Sequence, residues 1–206
     1  MSAPEEGDSA GVADSVPRRL LSVATRLFAE QGFDRTSVQE IVAAAGVTKG
    51  AMYHYFGSKD DLLYEIYARV LREQTERLEK FAVTEAPVAE RLRSIASDVV
   101  VSTIVALDDT KIFFESMHQL SPEKRRTVRA ERRRYHERFR GLIEEGQRAG
   151  DFRRDKPAEV VVDFFFGAVH HLGYWYRPSG ELSAQDMGEH FADLLLASLR
   201  PDRPGS

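Results

Sequence analysis

The sequence predicts an all-α protein with a three-helix helix-turn-helix head, a larger helical body and about nine helices in all. Apolar residues recur at helical spacing along almost the whole chain, and no stretch alternates as a half-buried strand does. Gly32 and Gly46 separate three short helical segments near the N-terminus, as tight turns would. The 206 residues are 42% hydrophobic and 30% charged, which suffices for a small head and a larger body.

The head is predicted to contain helices at Val16–Gln31, Ser37–Ala45 and Thr48–Phe56. Gly32 ends the first helix, because glycine is the residue that most readily terminates one. Ser37 and Glu40 have the spacing of a capping box, and Gly46 breaks the second helix. The turn between the second and third helices therefore lies at Ala44–Val47, where Gly46 supplies a positive φ.

The body is predicted to contain six further helices, separated by glycine, proline and capping serines. They run from residue 58 to about Phe81, from after Pro87 to Leu107, over Thr110–His118, over Pro122–Ala149, from Pro157 to Pro178, and from Ser183 to near Leu199. We expect disordered tails at 1–15 and 201–206, a head at 16–61 and a body at 62–200, linked by the helix from residue 58.

The third helix has the character of a surface that binds nucleic acid. Its nine residues span about 14 Å, which is enough to cross the floor of a major groove. Met52 and Phe56 form its buried side, whereas the outward set of Thr48, Lys49, Tyr53 and His54 contains no carboxylate. A surface pressed against phosphates requires that pattern.

Composition excludes several function classes. There is no cysteine, which removes disulfides, thiolate metal sites and cysteine nucleophiles. The net charge of −4 argues against a protein that coats nucleic acid, although residues 16–60 carry six basic and four acidic side chains and permit a local contact. The longest apolar stretch, Val99–Leu107, falls far short of the roughly 20 residues of a membrane span, and residues 1–15 contain no basic residue. We therefore expect a cytoplasmic protein.

The run from Thr36 to Leu62, with the lead-in Ala24–Phe33, resembles the TetR family of bacterial transcription regulators. The resemblance implies a homodimer whose two heads meet DNA half-sites about 34 Å apart, or a multiple of that distance. It also implies site residues. Phosphate would be held by Thr36 and Ser37, base edges or the adjacent backbone would be met by Thr48, Lys49, Gly50, Tyr53 and His54, and phosphates would be gripped by Tyr55 and Lys59.

The same resemblance makes the body a ligand-binding and dimerisation domain, with the dimer formed by the helices near 157–177 and 183–199. Its central aromatic and histidine residues are the candidate pocket: Phe113, Phe114, Met117, His118, Phe164, Phe165, Phe166, His170, His171 and Trp175. Aromatic residues at helical spacing more often belong to an ordinary core than to a ligand pocket, and both interpretations stay open. Neither a metal nor a cofactor is expected, because cysteines and paired carboxylates at ligand spacing are absent from the sequence.

Two stretches suggest an effector class. Lys124–Arg140 contains nine basic residues against two acidic ones. This stretch is either a solvated helix face paired with acids elsewhere, or an anion site in which Arg132 and Arg133 contact the phosphates of coenzyme A. Residues Gly173–Ser183 resemble a segment of TetR-type regulators of lipid and aromatic-acid breakdown, several of which respond to acyl-CoA.

The combined expectation is a repressor that binds a palindromic operator as a homodimer and is released by a small apolar or acyl-CoA ligand. A TetR-type activator, or a helical interaction protein with a non-functional head, are the alternatives. An enzyme is disfavoured because the sequence has no phosphate-cradling glycine-rich loop and no nucleophile with an evident base.

Overall fold

A computed structural model describes residues 15–107, 109, 112 and 116–201, and this part of the chain is helical without strands. It contains eight helices and a ninth of a single turn, as the sequence predicts. The helices are α1 (Val16–Gln31), α2 (Val38–Ala44), α3 (Lys49–Tyr55), α4 (Lys59–Ala82), α5 (Val88–Val105), α6 (Pro122–Ala149), α7 (Ala158–His170), α8 (Leu172–Trp175) and α9 (Ala184–Leu199), with a 3₁₀ turn at Met117–Gln119. The predicted tails lie outside the described residues, apart from residues 15 and 201, and so does most of the predicted helix at 110–118.

The helix starts follow from serine caps. The Oγ of Ser37 accepts a hydrogen bond from the Glu40 N–H while the Ser37 N–H donates to the Glu40 carboxylate, which is the predicted capping box. The hydroxyls of Ser58, Ser121 and Ser183 likewise accept a hydrogen bond from the N–H three residues on and cap α4, α6 and α9, and Ser183 forms a second capping box with Asp186. The predicted boundaries of the head helices and of α6 are therefore confirmed to within a residue or two.

One predicted helix is interrupted. The pattern from Pro157 to Pro178 predicts a single helix, but α7 ends at His170 and only the single turn α8 follows. The N–H of His171 donates to the carbonyl of Ala168, three residues back, and the Tyr174 N–H likewise donates to the His171 carbonyl. This tightening into i−3 bonds ends the regular helix, and Gly173 adds a weak helix former at the same point.

The core consists of two hydrophobic clusters that share α4. One lies in the body among α5, α6, α7 and α9, and the other lies in the head. The head cluster continues past the predicted boundary at residue 61, because Ile66, Tyr67 and Leu71 of α4 belong to it. Leu120 and Val128, which are body residues in sequence, also pack into it. The head is therefore joined to α4 and to the start of α6 by continuous apolar packing.

Close packing of α9 on α5 determines which faces of the body remain outside. A Cβ added at Gly188 would lie 2.7 Å from Ser97 Oγ and 2.8 Å from Val101 Cγ2, so only glycine lets these helices approach so closely. The opposite faces of α7 and α9 are exposed. Within the described ranges, no helix is long and apolar enough to cross a lipid bilayer.

Candidate nucleic-acid interface and effector cavity

The helix-turn-helix has the predicted inner packing. Ile41, Val42, Met52 and Phe56 are buried between α1, α2 and α3. Gly46 in the turn has φ +63°, a left-handed conformation that favours glycine, as predicted. This packing fixes the inner face of α3 and turns its other face to solvent.

The outer face of α3 has no acidic side chain between Thr48 and Gly57. Thr48 caps the helix by accepting a hydrogen bond from the Ala51 N–H at 3.0 Å. Tyr53 and Tyr55 are about half exposed. The Lys49 Nζ lies 5.9 Å from the centre of the Tyr53 ring, and the His54 and Tyr55 rings meet edge to face. This face therefore presents a cation, hydroxyls and aromatic edges in one patch.

Gly50 lies in the same face of α3, and the fold does not require a glycine there. Its backbone is helical, and a Cβ placed there would meet only Thr48 Oγ1, at an ordinary 3.8 Å. Glycine in a helix costs about 0.5–1 kcal/mol relative to alanine. The packing of the fold therefore gives no reason for a glycine at this position.

Thr36 requires a correction. The predicted phosphate contact is incompatible with its 1% exposure. Its hydroxyl donates to the Gly32 carbonyl at 2.8 Å, and its N–H donates to the Phe33 carbonyl. Thr36 therefore fastens the turn between α1 and α2. The neighbouring Ser37 is exposed at the N-terminus of α2, where an anion contact remains a prediction.

Lys59 also has a structural role that sequence reasoning missed. Its Nζ donates to the carbonyls of Phe33 at 2.7 Å and Thr36 at 2.9 Å, and it lies 4.1 Å from the centre of the Phe33 ring. Partial burial lowers the pKa of this ammonium, which the nearby Asp34 carboxylate opposes. Lys59 thus connects the start of α4 to the α1–α2 turn. No local sequence pattern predicts its two carbonyl partners.

The head and the body are joined by polar contacts at the start of α6. The Lys124 Nζ lies 2.6 Å from Asp60 Oδ2 and also contacts Asp61, both in the first turn of α4. The Ser121 N–H donates to Asp60 Oδ1 at 3.2 Å. A further bond runs from Gln119 Nε2 to the Asp34 carboxylate. The helix that bears the arginine-rich stretch is thereby attached directly to the head.

A small internal cavity of about 30 Å³ lies where α4, α5, α6 and α7 meet. Its apolar wall is formed by Val70, Leu71, Val99, Phe166 and Val169, and its polar wall by Gln74, Thr103, Arg132, Tyr135, His136 and His170. An Nη of Arg132 lies 3.3 Å from Nδ1 of His170, and the His136 ring stacks on Phe166 with centroids 4.2 Å apart. The cavity is thus lined both by apolar side chains and by several hydrogen-bonding groups.

Burial holds both cavity histidines in the neutral form. Desolvation, followed by the neighbouring charge of Arg132, lowers the pKa of His136 to about 4 and that of His170 to about 3. Each imidazole therefore offers one N–H donor and one lone pair at neutral pH.

Two surface grooves flank the cavity. A groove of about 1100 Å³ runs between α4 and α6, and Leu71 and Tyr135 line both it and the cavity. A second groove of about 660 Å³ runs between α6 and α7, and Arg132 and His136 separate it from the cavity. The second groove also carries three more guanidinium groups and three carboxylates, from Arg129, Arg133, Arg140, Glu137, Glu159 and Asp163. The cavity is therefore one side chain away from either surface.

The arginine-rich stretch makes ion pairs with acidic residues, as one of its two interpretations predicts, whereas the anion site remains a prediction. Arg138 makes a two-pronged ion pair with Glu79, at 2.8 and 3.1 Å, and Arg140 pairs with Glu144. Arg133 is exposed on the α6–α7 groove. Part of the stretch therefore pairs with acids, whereas another part lines a groove that an anion can reach.

The predicted pocket residues separate into different places. His170 and Phe166 line the cavity, whereas Phe165 is buried against Phe139 with ring centroids 5.3 Å apart and lies among the core residues. Met117 packs against the head cluster, because the 3₁₀ turn lies beside α4. His118, His171, Phe164 and Trp175 are exposed and line neither the cavity nor the grooves. Phe113 and Phe114 lie outside the described residues.

Sequence reasoning missed His136 and Gln74. The spacing of Arg132, Tyr135, His136 and Phe139 at i, i+3, i+4 and i+7 could have identified the inward face of α6. Over the described ranges, no three histidine or carboxylate side chains are placed to hold a metal ion.

An apolar face remains uncovered on α7, α8 and α9. Phe164 is 74% exposed and Leu194 is 68% exposed, and Val160, Tyr174 and Trp175 are also largely exposed. Isolated apolar residues are common at surfaces, but a patch on adjacent helices is typical of an interaction site.

Comparison with known families matches both parts of the chain. Residues 20–66 match the family described as bacterial regulatory proteins, tetR family, and residues 85–199 match the tetracyclin repressor-like C-terminal domain. The transcriptional repressor KstR2 of Rhodococcus jostii is 25% identical over 200 residues, which are 97% of this chain and 98% of that protein.

Solved structures show the same architecture. The TetR-family regulator PfmR of Thermus thermophilus superposes with a TM-score of 0.80 at 30% identity, over 88% of this chain and 99% of that one. AibR in complex with isovaleryl coenzyme A and operator DNA superposes with a TM-score of 0.76 at 26% identity, over 92% of this chain and 100% of that one.

Proposed function

The chain belongs to the TetR family of DNA-binding transcriptional regulators, and from this premise we propose that it represses transcription as a homodimer on a palindromic operator and is released by an acyl-CoA or similar small apolar effector. Its place of action is the cytoplasm, at the operator. The outward face of α3 carries this proposal, because it combines a cation and aromatic edges with a glycine that the fold does not require.

The proposed DNA contacts divide by their place on the head. Thr48, Lys49, Gly50, Tyr53 and His54 lie at or in α3 and would face base edges or the adjacent backbone. Tyr55 and Ser37 would meet phosphates, the latter at the N-terminus of α2. Lys59 is already bonded to two carbonyls, and any phosphate contact would use its remaining N–H.

The uncovered face of α7–α9 supports dimerisation. A second copy of the chain would pack its own α7 and α9 against it in a four-helix seam, burying Phe164 and Leu194 at the two-fold axis. Such an isologous interface would place two heads on half-sites about 34 Å apart, or a multiple of that distance. The palindromic operator follows from this symmetry.

The effector class is supported by the α6–α7 groove and its relation to the cavity. Four guanidinium groups line the groove, and arginine is well suited to bind phosphate groups. The acyl group would then lie against Arg132 and His136, which line both the groove and the cavity. The complex of AibR with isovaleryl coenzyme A provides a precedent in a structural neighbour.

Selection of binding sites from random duplex DNA, followed by titration of the selected site with acyl-CoA thioesters, tests the proposal. We expect an enriched palindrome that is released by a thioester. Enrichment without release would remove the effector class and keep the regulator. No enrichment at low salt would contradict DNA binding and favour the interaction-protein alternative.

Two neighbouring charge reversals identify the groove that binds the effector. Arg133 lies on the α6–α7 groove, and Arg134 on the α4–α6 groove. We expect Arg133→Glu to abolish release by thioester while leaving operator affinity intact, and Arg134→Glu to behave as wild type. The reverse result would move the coenzyme A group to the α4–α6 groove.

A further inference from the structure

The cavity has more polar side chains in its lining than a pocket for a hydrocarbon chain needs. A plain acyl chain is best held by apolar side chains, as the wall of Val70, Val99 and Val169 already provides. The same lining also brings a guanidinium, two imidazoles and the Gln74 amide to this small space. These groups are all hydrogen-bond donors, and they converge from α4, α6 and α7.

This arrangement is costly for the fold. Removing a guanidinium and two imidazoles from water costs free energy, and apolar residues of similar volume would often give an equally or more stable core. The stacking of His136 on Phe166 and the contact of Arg132 with His170 hold the groups in place. A polar, pre-oriented wall of this kind is typical of a site that recognises a polar ligand atom.

The polar side chains of the cavity lie next to the α6–α7 groove. Arg132 and His136 are one helical turn apart and separate the cavity from the α6–α7 groove. Arg129 and Arg133 repeat the same spacing on the groove surface. A thioester bound along this groove would therefore bring its acyl group to Arg132 and His136, at the entrance of the cavity.

We propose that the cavity selects acyl groups that carry an additional hydrogen-bond-accepting oxygen, a ketone or a carboxylate, which Arg132 and a cavity imidazole bind by donation. This inference rests on the proposed acyl-CoA function and narrows its effector class. The volume of about 30 Å³ corresponds to roughly one water molecule. Only the oxygen therefore enters the cavity, where the contact of Arg132 with His170 opens to receive it, while the hydrocarbon part of the acyl group stays in the α6–α7 groove.

The test compares three thioesters with six-carbon acyl groups: hexanoyl-CoA, 5-oxohexanoyl-CoA and adipoyl-CoA. Isothermal titration of the purified full-length protein gives their affinities, and operator release is measured in parallel. We expect 5-oxohexanoyl-CoA or adipoyl-CoA to bind at least about tenfold more tightly than hexanoyl-CoA. In Arg132→Met this preference should disappear while hexanoyl-CoA still binds.

Matched variants separate recognition from misfolding. Arg148→Met removes a guanidinium from the exposed end of the same helix and should keep the preference. Gln74→Leu removes one donor on α4 and should reduce the preference, which keeps the test decisive if Arg132→Met does not fold. Equal affinities for the three thioesters would overturn this inference and leave the proposed effector class intact. If none of the three thioesters binds, both this inference and the proposed acyl-CoA effector class are overturned. Operator binding is tested separately.

Discussion

Lys124 of α6 and Asp60 of α4 form a half-buried ion pair, with Nζ 2.6 Å from Oδ2, that spans the head and the body. Lys124 also contacts Asp61, and the Ser121 N–H donates to Asp60. Arg132 lies eight residues further along α6, about 12 Å away. One helix therefore touches both the cavity and the first turn of α4, which directly follows the DNA-binding helix.

We expect Lys124→Met to lower stability and to weaken the link between effector and operator. The change leaves two half-buried carboxylates without their cation, which costs about 1–3 kcal/mol and lowers the Tm by several degrees. The concentration of thioester required for half-release should also change, because the ion pairs between α6 and the first turn of α4 are lost. Arg126→Met, two residues away and exposed, is the control. An unchanged Tm and an unchanged half-release concentration would argue against this link.

Replacing Lys49 should affect DNA binding, whereas replacing Lys59 should affect the stability of the head. Lys49 is exposed, so Lys49→Ala should weaken operator binding and leave the Tm unchanged. The slope of the logarithm of the binding constant against the logarithm of the salt concentration should fall in magnitude by about one. Lys59 is bonded to the carbonyls of Phe33 and Thr36, so Lys59→Ala should lower the Tm. Thermal unfolding and binding at several salt concentrations provide both readouts. A Lys59→Ala variant with the wild-type Tm and a reduced slope would restore the role predicted from the sequence.

The sequence was sufficient for those features that local chemistry determines. Serine caps at Ser37 and Ser121, and glycines at Gly46 and Gly150, act within one turn of helix, so the spacing along the chain contains the information. The inner and outer faces of α3 follow from the same periodicity. The all-α fold and the helix-turn-helix were therefore predictable.

The roles of single polar residues were less predictable, because tertiary contacts decide them. Thr36 and Lys59 look like free phosphate ligands in sequence, yet residues of other segments bury or engage their polar atoms. The sequence predicts His118 in the pocket, where it does not lie because it is exposed, whereas His136 lines the cavity without any local signal for that role. The direction of each of these side chains depends on helix packing that no local pattern encodes.

Gly50→Ala should change stability and operator affinity in opposite directions. The new Cβ meets only Thr48 Oγ1, at 3.8 Å, so the helix should gain about 0.5–1 kcal/mol. Operator affinity should fall at least about tenfold, because the methyl group lies where the DNA approaches. Gly141→Ala, which meets nothing within 4 Å in α6, should stabilise without affecting operator binding. Wild-type affinity in Gly50→Ala would contradict close approach at this position.

Phe164→Glu should dissociate the proposed dimer. A carboxylate in the centre of the α7–α9 face would be desolvated on association, so the dimer dissociation constant should rise at least about tenfold, and operator binding should fall with it. Sedimentation velocity measures the first effect. Val83→Glu changes an equally exposed apolar residue on the α4–α6 groove and serves as the control. A Phe164→Glu protein that sediments like wild type would show that this face does not form the dimer.

The neutral cavity histidines make stability depend on pH. Their pKa values, about 4 for His136 and about 3 for His170, lie below the 6.5 of an unfolded chain. The folded state therefore binds fewer protons than the unfolded state between these values, so stability is complete above about pH 6.5 and falls as the pH is lowered. At pH 5, which is 1.5 units below the unfolded pKa, the loss should be about 2 kcal/mol for each histidine. Thermal unfolding between pH 7.5 and 5, above the range where most carboxylates titrate, measures it.

Replacing the cavity histidines isolates their share of that dependence. His136→Phe keeps a ring to stack on Phe166, and together with His170→Leu it removes both groups that must stay neutral. The double variant should lose less stability than wild type on going from pH 7.5 to 5, because its folded and unfolded states now bind more nearly equal numbers of protons. His118→Gln, at an exposed position outside the cavity, should keep the wild-type slope. If the double variant also kept that slope, the proton uptake would arise elsewhere in the chain.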